Sequence, residues 1–136
     1  MITKIGMDIG STSVNAVAMD ASGFILEEHY RWCHGRPFQV ARDLLVELKE
    51  KYPSFTTLAF TGTGGEKIAE LVGGRFVNEI VAQAESVIRL HPEVRSVIEI
   101  GGEDSKLIDI AEKNGRRLME EFAMNNLCAA GTGSFL

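Results

Sequence analysis

Residues 4–19, KIGMDIGSTSVNAVAM, contain two apolar runs separated by a short turn of small residues. The runs Lys4–Ile9 and Val14–Met19 each have the length of a β-strand, and Gly10–Ser13 is composed of residues that favour tight turns. A third run, Phe24–Trp32, alternates well enough to be a half-buried strand. The amino-terminal part of the chain therefore predicts an antiparallel meander of three strands.

Helix and strand signals alternate in the rest of the chain. Pro37 and Pro53 bracket the first helical stretch, at its first turn and just after its end. The first helix is expected at residues 38–52, with its apolar stripe at Phe38, Ala41, Leu45, Leu48 and Tyr52. A short strand at Thr57–Thr61, a short helix ending near Val72 and a helix from about Asn78 to His91 are expected to follow. The last expected elements are a buried strand at Ser96–Ile100 and the strands Lys106–Ile110 and Arg117–Phe122, joined at Asn114–Gly115. This order predicts an α/β fold class in which one mixed sheet, extending to the strand at residues 96–100, carries helices on its faces.

The composition indicates which classes of protein are disfavoured. With 136 residues, of which 45% are hydrophobic, the chain can bury the core of one domain. The 19 Asp+Glu residues outnumber 14 Lys+Arg and no basic run is present, which disfavours nucleic-acid binding. No stretch approaches the ~20 apolar residues of a membrane span, and the two cysteines cannot build a secreted disulfide framework. These features predict a cytoplasmic protein.

The turn after the first strand is the first place where the sequence suggests chemistry. Asp8 stands at the strand edge, and Gly10, Ser11 and Thr12 follow it, so backbone N–H groups and hydroxyls can converge on an anion. Such a turn suits a phosphate, with Asp8 near its magnesium ion. The same residue types also form ordinary polar hairpin turns, and composition alone does not separate the two interpretations.

A second loop, GGEDSK at residues 101–106, repeats this arrangement after a strand. Gly101 and Gly102 let the backbone approach a ligand, and Asp104 supplies another carboxylate of the kind that binds magnesium. The alternative is a tight turn with a solvated tip. Neither loop is a Walker A sequence, and the glycine run at residues 62–65 lacks the third glycine of a dinucleotide fingerprint.

Cys128 lies in a third motif, MNNLCAAGTGSF at residues 124–135. It directly precedes small residues that can open a helix, and helix amino termini favour thiolates and anionic clusters. A lone cysteine is more often an inert buried residue, and one thiolate cannot hold a cluster that takes about four. A metal role for Cys128 therefore needs ligands from elsewhere. Cys33 and His34 are adjacent, so on a strand they would point to opposite faces and form no metal pair.

Three motifs in this order, GMDIGST at 6–12, IGGEDSK at 100–106 and NNLCAAGTG at 125–133, give the sequence its resemblance to a known family. The sequence resembles the activators of 2-hydroxyacyl-CoA dehydratases, a family that includes the ATPase subunits of benzoyl-CoA reductase. The resemblance implies a ribonuclease H-like half-domain of the acetate and sugar kinase, heat-shock chaperone and actin superfamily. Residues 1–136 are then expected to be an amino-terminal nucleotide-binding half-domain, truncated before the second half.

The resemblance also implies functional residues. Asp8 and Asp104 are expected to be catalytic carboxylates that act on ATP bound with magnesium. Cys128 is expected to be one of two cysteines per subunit that hold a single 4Fe-4S cluster across a homodimer, with the second cysteine beyond residue 136. The residues expected to bind the cofactors are Asp8, Gly10, Ser11, Thr12, Gly101, Gly102, Glu103, Asp104, Lys106, Gly131, Thr132 and Gly133.

The implied activity is that of an ATP-dependent activase. ATP hydrolysis would drive a low-potential electron from the cluster into an acyl-CoA dehydratase or reductase component, and reduced ferredoxin or flavodoxin would be the electron source. Two alternatives stay open. One is a sugar or carboxylate kinase of the same superfamily, with Asp104 as a base and Cys128 merely buried. The other is a regulatory module that binds nucleotide without hydrolysing it. The half-domain alone is expected to be inactive.

Overall fold

The computed structural model describes residues 3–102 and 104–125. The chain divides into two compact units, Met1–Asn78 and Glu79–Leu136. Each unit has its own sheet, five-stranded in the first and three-stranded in the second. Each unit also has its own apolar cluster.

The first unit is built on the predicted meander, which the structure confirms. Its strands are β1 (Thr3–Ile9), β2 (Ser13–Asp20), β3 (Ile25–Trp32), β4 (Phe55–Thr61) and β5 (Arg75–Phe76), in the sheet order β3-β2-β1-β4-β5. β1 is antiparallel to β2 and parallel to β4, so the sheet is mixed, as predicted. Because parallel strands end at the same edge, the loops that follow β1 and β4 lie side by side.

Two helices, α1 (Pro37–Lys51) and α2 (Gly65–Val72), pack against this sheet. β1 buries alternate residues beginning at Thr3, which is the pattern of a strand with one covered face. On α1 the buried residues are Ala41, Leu44 and Leu48, whereas Phe38 of the predicted stripe is exposed. The residues that form the buried cluster of this unit are Ile5, Met7, Ile9, Val14, Ala16, Ala18, Cys33, Ala41, Leu44, Leu48, Phe60 and Ala69.

Glu27 on β3 contacts residues at the carboxyl end of α1. It forms an ion pair with Lys51, accepts a hydrogen bond of 2.9 Å from the Tyr52 hydroxyl, and lies 2.6 Å from His29 Nε2. The hydrogen bond from Lys51 is the main reason why the pKa of Glu27 falls from its ordinary 4.5 to about 2. Burial opposes this shift, and the bonds from Tyr52 and His29 add to it.

The Glu27 contacts predict a pH-dependent loss of stability in Glu27→Gln. Because the folded pKa lies below the unfolded one, the carboxylate stabilises the fold above about pH 4.5 and loses that contribution as the pH falls towards 2. Lys51 is 60% exposed, so solvent weakens the pair. We expect Glu27→Gln to cost about 1 kcal/mol at pH 7. Thermal melts across pH should show the difference from wild type shrinking below pH 4.5, whereas Glu28→Gln, at an exposed neighbour, should follow wild type throughout.

The second unit is a three-stranded antiparallel sheet with one helix. It consists of α3 (Glu79–Leu90), β6 (Ser96–Ile100), β7 (Ser105–Lys113) and β8 (Arg116–Asn125), and α3 packs against β7 and β8. The predicted hairpin turn is confirmed: Asn114 has φ +54° and Gly115 has φ +74°, the left-handed values that this turn requires. The cluster under α3 contains Ile80, Ala84 and Ile108, with Val97 and Met119 against it.

Strand β6 differs from its prediction in two ways. It pairs with β7 in the second sheet instead of extending the mixed sheet. It is also not a buried strand, since the side chain of Ile98 is 76% exposed and that of Ile100 is 54% exposed. In the described part of the chain β6 has a neighbour on one edge only, and every second side chain faces away from the cluster under α3. Within residues 3–102 and 104–125, no helix has both the length and the apolar character needed to cross a bilayer.

Candidate functional site

The first predicted loop joins β1 to β2 at the end of β1. Asp8 is half-buried near the end of the strand, and the turn closes where the Gly10 N–H donates to the Ser13 carbonyl at 3.0 Å. Ser11 is exposed and Thr12 half-buried at its tip. Asp8, Gly10, Ser11 and Thr12 thus lie at the end of β1 and in the turn that follows it.

Cys33 supports this loop from the residue that follows β3. Its N–H donates to the Thr12 carbonyl at 2.9 Å, and its thiol donates to the Gly10 carbonyl at 3.5 Å. The side chain is 1% exposed, and burial raises the pKa of the thiol. No motif indicates this contact, because it depends on β3 bringing residue 33 back beside the first turn.

The glycine run after β4 lies against Asp8. The Gly64 N–H donates to the Ile9 carbonyl at 2.9 Å, which joins this loop to the end of β1. Gly62 has φ +83°, and a Cβ there would overlap the Asp8 carboxylate and lie 2.7 Å from the Ile9 carbonyl oxygen. The glycines of this run do not match a dinucleotide fingerprint, so the motif alone predicts no site here. The signal that reveals them is the parallel pairing of β1 with β4, which brings both strand ends to one edge.

Two polar side chains flank Asp8 on the neighbouring strands. Asn15 on β2 is its antiparallel partner, and Thr61 on β4 is its parallel partner. The Asn15 amide nitrogen lies 3.4 Å from Asp8 Oδ2. Asn15 Oδ1 and Thr61 Oγ1 are both buried and have no hydrogen-bond partner among the described residues. The described residues contain five buried polar atoms of this kind, and these two are distinguished by lying on either side of one carboxylate. Because such atoms are costly to leave without partners, the pair fits an incomplete site.

The second predicted loop joins β6 to β7. The Gly101 N–H donates to the Asp104 carbonyl at 2.8 Å, and Ile100 pairs with Ser105 across the loop. A Cβ on Gly101 would lie 3.0 Å from Asp104 Oδ1, so the carboxylate packs directly against this glycine. Gly102 is half-buried beside it. The small size of Gly101 is therefore needed for the observed position of Asp104.

Lys106 lies under the second loop with a side chain that is only 3% exposed. Its ammonium group is 2.7 Å from Asp104 Oδ1, 2.8 Å from Glu79 Oε1 and 3.0 Å from Glu99 Oε2. Burial lowers the pKa of Lys106, but the three neighbouring carboxylates outweigh it and the net shift is upward. Asp104 Oδ1 accepts a hydrogen bond from the ammonium group, whereas the geometry at Glu99 Oε2 makes that contact an ion pair without a hydrogen bond. Lys106 therefore holds Asp104 in place.

Several predicted residues lie outside the part of the chain that the structure describes. They are Glu103, Cys128, Gly131, Thr132 and Gly133. Within the described ranges, no group of three or more His, Cys, Asp or Glu side chains could hold a metal ion.

Comparisons with known proteins agree on one family. The sequence model of the BadF/BadG/BcrA/BcrD ATPase family matches residues 5–136. The activator of lactoyl-CoA dehydratase from Anaerotignum propionicum is 34% identical over 137 residues, which cover 97% of this chain and 50% of that protein. The chain spans about half the length of the curated relatives it matches.

Solved structures give the same result. Component A of (R)-2-hydroxyglutaryl-CoA dehydratase from Acidaminococcus fermentans matches with a TM-score of 0.80 and 29% identity, over 99% of this chain and 51% of that one. The activator of 2-hydroxyisocaproyl-CoA dehydratase from Clostridium difficile, solved with bound ADPNP, matches with a TM-score of 0.79 and 29% identity, over 98% and 49%. More distant structures share the fold alone, and together with these two they confirm the predicted ribonuclease H-like α/β fold. The chain belongs to the BadF/BadG/BcrA/BcrD ATPase family.

Proposed function

We propose that the full-length protein is an ATP-dependent activase. It hydrolyses ATP and delivers one electron at low potential to an acyl-CoA dehydratase or reductase component. The family, the relatives named as dehydratase activators and the relative solved with ADPNP support this assignment. The observation in this chain that carries it is the incomplete polar site around Asp8, at the edge where β1 and β4 both end.

The nucleotide is assigned to the two loops. In the first loop, Asp8 is the catalytic carboxylate and lies near the magnesium ion of the nucleotide. Gly10, Ser11 and Thr12 form the turn that faces a phosphate. The unpaired buried atoms on both sides of Asp8 fit a ligand at this point. In the second loop Gly101, Gly102, Glu103 and Asp104 are assigned to the nucleotide, and Asp104 is the second catalytic carboxylate.

Lys106 is assigned to the site through Asp104. Its three contacts are carboxylates, so its ammonium group neutralises negative charge on the protein side of the loop. One Asp104 oxygen is occupied by Lys106 at 2.7 Å, which fixes the direction of the other. An ordered carboxylate loses less conformational entropy when it binds a cation or a proton donor.

Cys128 is assigned to a 4Fe-4S cluster shared between two subunits, next to Gly131, Thr132 and Gly133. When bound, such a cluster supplies the low-potential electron that the partner receives, and reduced ferredoxin or flavodoxin restores it. Four thiolates are needed for a cluster of this type. Two cysteines from each of two subunits meet that number, so the assignment implies a homodimer.

Iron and sulfide content of the full-length protein, purified without oxygen, tests this function. We expect about four irons per dimer and an electron paramagnetic resonance signal on reduction. Cys128→Ala should lose the iron. Cys33→Ala is the matched control: its thiol is buried and donates to the Gly10 carbonyl, so this variant should keep the iron.

The alternatives predict different results. A protein without iron that transfers phosphate to a small sugar or carboxylate would be a kinase, and Cys128→Ala would then leave its activity unchanged. A protein that binds nucleotide but turns over none of it would be a regulatory module. Either result would contradict the activase assignment.

A further inference from the structure

The row Asn15–Asp8–Thr61 is continuous across three strands of the first sheet. The two pairings of Asp8 set these side chains next to one another on the same face. All three are half-buried, although each carries polar atoms. A folded chain gains nothing by burying Asn15 Oδ1 and Thr61 Oγ1 without partners, because each has given up its hydrogen bonds to water.

The chemistry of the row selects the kind of ligand. An amide oxygen and a carboxylate only accept hydrogen bonds, and a hydroxyl can accept as well as donate. The row therefore presents acceptors beside a negative charge. Phosphate oxygens would meet electrostatic repulsion there, whereas the water molecules on a magnesium ion are strong donors. Magnesium keeps several of its waters when it binds between carboxylates and nucleotide phosphates.

We propose that Asn15 Oδ1 and Thr61 Oγ1 accept hydrogen bonds from the waters of a nucleotide-bound magnesium ion beside Asp8. This inference rests on the proposed nucleotide-dependent function and names two further residues of its site. Asp8 provides the charge, and its two neighbours orient the hydrated cation. The glycine at position 62, packed against Asp8, keeps the carboxylate in the row.

The unpaired hydroxyl makes the proposal testable through a trade-off between stability and binding. Thr61→Val keeps the shape of the side chain and removes the unpaired atom. The variant should therefore melt roughly 3 °C higher than wild type without nucleotide. It should also bind ADPNP about fivefold more weakly in the presence of magnesium, because one acceptor is lost. This weakening should disappear when EDTA removes the metal.

Thr57→Val is the matched control. Thr57 lies four residues earlier on β4, on the same face of the strand, and is exposed. This substitution makes the same change in β-propensity without removing a buried unpaired atom. Calorimetric titration and thermal melts of the full-length protein should show the control within about 1 °C and twofold of wild type.

The outcomes distinguish a failure of the proposed role of Thr61 from a failure of the proposed function. Higher stability of Thr61→Val, with magnesium-dependent weakening, supports the proposal. Wild type and Thr61→Val binding ADPNP equally would overturn it and leave the proposed function intact. A loss that persists in EDTA would place Thr61 against the nucleotide instead and would also overturn it. Wild type that binds no ADPNP with magnesium would overturn both.

Discussion

Gly62→Ala is expected to lower the free energy of unfolding by about 3 kcal/mol or more, because backbone strain and steric overlap add. The residue has φ +83°, a conformation that an L side chain adopts at a cost. Its Cβ would overlap the Asp8 carboxylate and approach the Ile9 backbone, whose carbonyl oxygen would lie 2.7 Å away. Backbone atoms in a paired strand have little freedom to move. The loop or the end of β1 must therefore shift.

Gly35→Ala separates the two contributions. Gly35 has a similar φ of +75°, but a Cβ there meets nothing within 4 Å. Gly35→Ala should lower the free energy of unfolding by only about 1 kcal/mol, which is the cost of the backbone conformation alone. Chemical denaturation of both variants gives the difference directly. Equal losses would show that the contact between Gly62 and the end of β1 has no energetic importance.

Lys106→Met is expected to have the second large effect, a loss of about 3 kcal/mol. The substitution removes the cation that contacts all three carboxylates and leaves Glu79, Glu99 and Asp104 near one another. These carboxylates are 27–32% exposed, so water reduces the penalty to the lower end of the range for buried pairs. The folded pKa of Lys106 lies above its ordinary 10.5, so its contribution is complete below that pH and is lost only above it.

Lys113→Met is the control for the loss of a lysine on the same strand. Lys113 lies 3.2 Å from Glu120, but its side chain is 58% exposed. An exposed pair contributes about 0.5 kcal/mol. Unfolding curves at neutral pH should therefore place Lys106→Met well below Lys113→Met. Similar curves for the two variants would contradict a structural role for the carboxylate cluster.

Local signals predicted the elements of the fold well. The meander, the helix after Pro37 and the turn at Asn114–Gly115 each depend on residues close together in the sequence, and the structure confirms all three. The faces of these elements were harder to predict. The apolar run Ser96–Ile100 predicts a buried strand, but periodicity cannot show whether a second layer covers it. Its exposed isoleucines reveal that only one face is covered.

The environment of the site depended on contacts that sequence reading does not provide. The resemblance implies that Lys106 binds the nucleotide, whereas its carboxylate partners come from α3, β6 and the loop itself. The position of Thr61 beside Asp8 follows only from the parallel pairing of β4 with β1. Both cases require the register of strands that are distant in sequence, which composition and motifs do not specify.

Because its thiol is buried, the rate at which Cys33 reacts can report the opening of the first loop. Alkylating reagents attack thiolates, and a thiol that is 1% exposed with a raised pKa reacts only when its surroundings open. Cys33 donates to the Gly10 carbonyl and to the Thr12 carbonyl, so we expect exposure of the thiol to break contacts that support the turn. Cys33 and Cys128 are the two cysteines of this sequence. The rate at which a reagent labels Cys33 measures the free energy of opening of the turn where a phosphate is expected to bind.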